Sequence, residues 1–260
     1  MRCNGKQISA IYGKAYSEKE SLWDVRDYAY AGWQLYYADY TDGLLKGCAI
    51  RTEDGTLVIG RGMMKFHEFI YLMQEEEKVA YQPHNGWQIL KVEFSEDETN
   101  FEYKGYRARF FLDRDMELKE NQMEMCRFYL REGSVLRDSY KNFSDMATEY
   151  DTVNLIHATV AGVGEKTLHP ALLLQFGEEL WNMREKETAD FVFSYMVVNN
   201  TGKMERQSII RYLQNKGRKE SEKDSFAWDN NMIYADMERI LRHRGAGHGK
   251  GHDRKMIYVE

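Results

Sequence analysis

Two successive helical windows late in the chain are apolar on more than one side, and that limits what it can fold into. In the run Thr167-Leu168-His169-Pro170 to Trp181, Pro170 suits a first helical turn, where its missing N–H costs nothing and its φ is already helical. Leu172, Leu173, Phe176, Leu180 and Met183 then recur at helical spacing, and Leu174 and Trp181 form a second apolar line. A stripe that wide needs more than one neighbour to cover it. Gly177 costs roughly 1 kcal/mol relative to Ala in a helix interior, and predicts a close helix crossing. In the next window Ala189, Val192, Phe193, Met196 and Val197 make a 3.6-period stripe, widened by Phe191, Tyr195 and Val198. Asn199-Asn200-Thr201-Gly202 ends it with residues that tolerate left-handed backbone. Joined by Arg184-Glu185-Lys186-Glu187, the two windows read as a buried helical hairpin, the core of the C-terminal half, with its aromatics as core.

Upstream, Ser17-Glu18-Lys19-Glu20 is a capping-box pattern that opens a helix reaching about Tyr40. Its seven aromatics exceed one core-facing line and predict some at a surface, as a stacking platform or as tyrosine tips in water. Glu53-Asp54-Gly55 between apolar runs predicts a hairpin. Gly60-Arg61-Gly62 followed by Met63, Phe66, Ile70 and Met73 reads as strand, turn, helix, without the full glycine or lysine pattern of a phosphate loop. Trp87–Phe94 and Phe101–Leu112 read as strands. Met123, Cys126, Phe128 and Leu130 suggest a helix ending near Gly133, and residues 135–161 read as mostly helical. Met204–Lys216 and Phe226–Arg242 are amphipathic helices around a polar loop at Gly217–Asp224. The expected class is α+β, with a mixed or antiparallel sheet and helices over 1–115 and a mainly helical region over 116–260, packed as one unit.

The chain has 260 residues, 43% of them hydrophobic and only two prolines, which favours a real core over long linkers. No run nears the roughly 20 apolar residues of a membrane span, and the N-terminal residues lead into no apolar signal region. Cys3, Cys48 and Cys126 are odd in number and far apart, matching neither a zinc pattern nor a disulfide set, so a cytoplasmic location is expected. Residues 201–260 hold 13 Lys/Arg against 9 Asp/Glu, a balance of +4, leaving 23 against 33, or −10, for residues 1–200.

Chemistry is weakly signalled. Asp113-Arg114-Asp115 closes an apolar strand run, and two carboxylates at a strand end can hold magnesium for phosphoryl transfer, although Asp also favours turns. Glu102-Tyr103-Lys104 is a Glu-x-Lys on a strand, as metal nucleases use. His157 and His169 lie in apolar helical contexts and read as core or cap residues. In the glycine-rich end, Arg242, Arg244, Lys250, Arg254 and Lys255 could contact phosphate, while Met256–Val259 could add a strand to a sheet edge. The leading expectation is an intracellular, non-enzymatic interaction or regulatory protein. Its partner, a protein or nucleic acid, would be held through that basic region, with no cofactor, metal or membrane contact. The alternative is a magnesium-dependent phosphoryl-transfer enzyme or nuclease built on Asp113, Asp115, Glu102 and Lys104.

Overall fold

Helix α1 (Lys19–Tyr36) runs through Gly32 without a break. Near its end Trp33 stacks on Tyr37 and meets Tyr36 edge-on, and Tyr28, Trp33 and Tyr36 are exposed, so the surplus aromatics do lie at a surface. The computed structural model describes residues 19–96, 106–148, 150–216 and 228–245. Readings placed on Ser17, Cys3, Glu102, Lys104, the Gly217–Asp224 loop and the chain after Gly245 lie outside them. The chain divides after Ala38 into two units, α1 belonging to the first.

The second unit is α+β. Its described residues form β1 (Gly43–Gly47), β2 (Ile50–Glu53), β3 (Thr56–Ile59), β4 (Gly62–Phe66), β5 (Phe69–Met73), β6 (Glu77–Ala80), β7 (Gly86–Glu96), β8 (Tyr106–Asp113) and β9 (Gln122–Leu130). These pair antiparallel in three sheets, ordered β1-β4-β5, β2-β3-β6 and β8-β7-β9. A 3₁₀ turn (Phe143–Ala147) follows, then α2 (Pro170–Asn182), α3 (Thr188–Asn199), α4 (Arg206–Asn215) and α5 (Asn230–Gly245). The Asp-Gly hairpin forms as expected, with Glu53 opposite Thr56.

Three expected helices are not helices. Met63–Met73 is the β4–β5 hairpin, turned at His67 and Glu68 with Phe66 opposite Phe69. His67 takes the left-handed φ of 54° the turn requires, and the Asp42 carboxylate accepts its N–H at 2.7 Å. Met64 and Phe66, two apart, are the buried positions of β4, so the 3–4 spacing of apolar residues was a coincidence of two short strands. The region before Gly133 holds strand β9, paired along β7, so the sheet continues past residue 115. Met, Glu and Leu favour helix in isolation, but β9 is buried on both faces, which hides the period-2 signal. The described residues of 135–161 are largely irregular, with isolated bridges in place of helical turns. Arg127 bridges Asn154, Arg137 bridges Thr152 and Leu44 bridges Val160, and among the described residues the 3₁₀ turn is the one helical piece.

One core runs from the sheets to the helices, with Phe94, Phe128, Phe143, Phe176 and Phe193 among its members. Phe176 meets Phe143, Phe193 and Tyr212 edge-on.

Candidate functional site

Both members of the carboxylate pair take part in local hydrogen bonds. Lys91 points from β7 into the protein, its side chain 2% exposed, and its Nζ donates to Asp113 Oδ2 at 2.9 Å and to the Glu117 carbonyl. The other Asp113 oxygen accepts the N–H groups of Arg114 and Asp115. Asp115 in turn accepts the Glu117 N–H at 3.0 Å. The Lys91 hydrogen bond and the turn N–H groups hold the Asp113 carboxyl below the usual carboxylate range. The arrangement neutralises a buried ammonium and closes a turn. Among the described residues no three His, Cys, Asp or Glu side chains converge as a metal site. The sequence carried no signal of this role for Lys91: alternation puts it on the side of Glu93, away from Leu90, Val92 and Phe94, whereas β7 is buried on both faces around it.

Of the five basic residues, Arg242 pairs with Glu238 at 2.7 Å on α5, and Arg244 lies in the last turn of the same helix. Lys250, Arg254 and Lys255 are outside the described residues. His169 caps α2, its Nδ1 accepting the Ala171 N–H at 3.2 Å, and burial pushes its ring down to about 4. Burial, with Arg127 nearby, also lowers His157.

The unexplained surface belongs to the α2–α3 hairpin. Gly177 lets the helices touch: a Cβ there would lie 2.7 Å from Val197 Cγ1. The inner side of α3 is Asp190, Phe193, Ser194 and Val197, all buried. Burial alone would raise the Asp190 carboxyl, but Lys216, the Glu187 N–H and the Tyr212 hydroxyl together hold it below its ordinary value. Lys216 Nζ is 2.7 Å away and Tyr212 Oη 2.8 Å, so this pair ties α3 to the end of α4. The start of α3 is closed by a reciprocal capping box between Glu187 and Asp190. Its end is a Schellman turn in which Thr201 donates to Val198 O and Gly202 to Val197 O.

With a carboxylate and a hydroxyl on the buried side, most of the apolar residues of α3 fall outside. Phe191 and Val192 are each 47% exposed, Tyr195 53%, Met196 43% and Val198 38%, and Trp181 of α2 beside them is 39% exposed. The rings form one group: Trp181 lies 5.1 Å from Phe191, and Phe191 stacks on Tyr195 at 6.4 Å. Between Trp181, Tyr195, Val198 and Glu178 is an open notch of about 250 Å³. Val192 and Met196, expected in the covered stripe, are therefore on the open side. The sequence signal was present, since α3 has apolar residues on all sides. What it could not show was that fewer than half of them find cover within the described chain.

Neither a protein-family model nor a curated protein matches this sequence. A solved structure described as "Crystal structure of TssK" is similar at a TM-score of 0.35 and 9% identity, over 91% of this chain and 71% of that one. A likeness at that level assigns neither a family nor a function. Among the described residues no helix is long and apolar enough to cross a membrane.

Proposed function

We propose that this is a non-enzymatic interaction protein that works by docking another protein on the outer face of α2–α3. One observation carries the reading: six large apolar side chains, three of them aromatic rings within 6.5 Å of one another, are exposed on one closely packed hairpin. A helix apolar on all sides is normally covered on all sides. Monomeric proteins rarely expose a contiguous apolar patch beyond about 300–600 Å² without using it. The notch is smaller than the roughly 300–1,000 Å³ of small-molecule sites, so it suits a partner's side chain better than a free ligand. The basic region around Arg242 is a second contact in this reading, for an acidic partner or nucleic acid. A reducing, intracellular setting is in keeping with two free, buried thiols, Cys48 and Cys126, both pushed up by burial.

The test is a photo-crosslinking amino acid placed at Phe191 or Tyr195 in the protein's native cell, with Arg51 as an exposed control position. The reading expects a protein adduct from 191 and 195 that is lost when Val192 is replaced by Glu. No adduct from either position overturns it.

A further inference from the structure

We propose that the occupant of this face is a second copy of the same chain, docked α3 against α3 across a two-fold axis. The inference rests on the interaction reading above and names its partner. A two-fold interface places a patch against itself, so the patch must be self-complementary. The stretch Phe191–Asn199 contains no charged residue, so two copies can meet along it without like charges opposed. A charged partner segment would instead lose hydration against it without gaining an ion pair.

The flanking charges supply register. Lys186 sits at the N-terminal end of α3, its Nζ donating to the Trp181 carbonyl and lying 5.3 Å over the Trp181 ring. That fixes an ammonium at one edge of the patch with further donors to give. Glu178, one turn before Trp181 on α2, lines the notch with Tyr195, Val198 and Asn199, towards the C-terminal end of α3. In an antiparallel two-fold arrangement the N-terminal end of one α3 faces the C-terminal end of the other. Lys186 of each copy then meets Glu178 of its mate, twice by symmetry, whereas a parallel arrangement would oppose like charges. Area agrees with a modest, reversible dimer. The exposed fractions of the six side chains amount to about 600 Å² per copy, or about 1,200 Å² in all, the lower bound of standard-size interfaces.

The experiment is analytical ultracentrifugation of the full chain from about 1 to about 100 µM, the range in which an interface of this size should dissociate. Wild type is expected to show a reversible monomer–dimer equilibrium. Val192→Glu and Tyr195→Ser are expected to be monomeric with unchanged circular dichroism. Lys186→Glu and Glu178→Lys alone should each weaken association about three- to tenfold, and the double exchange in one chain should restore it. A monomer at every concentration, a dimer that survives Val192→Glu and Tyr195→Ser, or a double exchange no better than the singles overturns the proposal. Monomeric wild type whose residue 195 crosslinks to a different protein sinks the self-association and leaves the interaction reading intact. The absence of both dimer and adduct removes both.

Discussion

Replacing Gly177 with Ala should destabilise this protein, against the usual rule for a glycine inside a helix. At an uncrowded position the change gains about 1 kcal/mol of helix propensity. Here the new Cβ would sit 2.7 Å from Val197 Cγ1 and 3.1 Å from its Cβ, where carbon atoms prefer about 3.5–4.0 Å. Val197 is fully buried and, being β-branched, has little χ1 freedom with which to retreat. Overpacking of this kind costs about 1–3 kcal/mol, so the net loss should be about 1 kcal/mol. Val197→Ala alone should cost about 2 kcal/mol. In that background the 2.7 Å contact is gone, the contacts left being the residue 197 Cβ at 3.1 Å and Val198 Cγ2 at 3.7 Å, so Gly177→Ala should become close to neutral, leaving a coupling of about 1–2 kcal/mol between the sites. Urea denaturation of the four proteins, read by far-UV circular dichroism, measures all the terms. If Gly177→Ala raises the stability of the wild type by about 1 kcal/mol, the helices are not in contact there. The close packing of α2 on α3 would then have no basis at that crossing.

Thr201 holds a left-handed φ of 52° at the end of α3, a conformation that crowds a β-branched residue. Thr201→Gly should therefore stabilise by about 1 kcal/mol, and a loss in thermal denaturation would contradict that backbone. The His169 ring, at about 4 in the fold, is well below the ordinary value near 6.5 for an unfolded histidine. Its contribution is present above pH 6.5 and is lost as pH falls towards 4, by about 1.4 kcal/mol per unit. His169→Asn keeps a side-chain cap and should remove that slope from the stability–pH curve; an unchanged slope would refute it. Asp113→Ala leaves the Lys91 ammonium buried without its counter-ion and should cost about 2–4 kcal/mol, more than Lys91→Met, which removes the charge itself. Chemical denaturation giving the opposite order would contradict the structural role of the pair.

The fold class was legible where local chemistry and tertiary packing agree. Pro170 starts α2, Gly177 marks its crossing with α3, Asn200-Thr201-Gly202 ends α3 and Asp54-Gly55 turns the β2–β3 hairpin, each for a reason contained in a few neighbouring residues. It was not legible where a long-range pairing decided the outcome. Gln122–Leu130 becomes a strand because β7 lies beside it, and its buried Glu124 accepts two hydrogen bonds from Arg127 at 2.7 Å. Residues 135–161 are held by bridges to β9 and β1 that no local period encodes. The candidate site was half legible. The apolar surplus of α3 could be counted from the sequence. The choice of inner side turned on Asp190, whose burial depends on Lys216 and Tyr212 more than 20 residues away.

The outer face of α2–α3 should be covered when the protein is at work. Hydroxyl-radical footprinting in the native cell tests this directly, with oxidation rates read by mass spectrometry at Trp181, Phe191, Tyr195 and Met196. Buried Met64 and exposed Trp87 serve as internal standards. The four residues should be protected in wild type and react at exposed-residue rates in the Val192→Glu variant, while Met64 and Trp87 do not change. Equal, fast oxidation of the four in both proteins would show a face open to water at all times and would contradict the account.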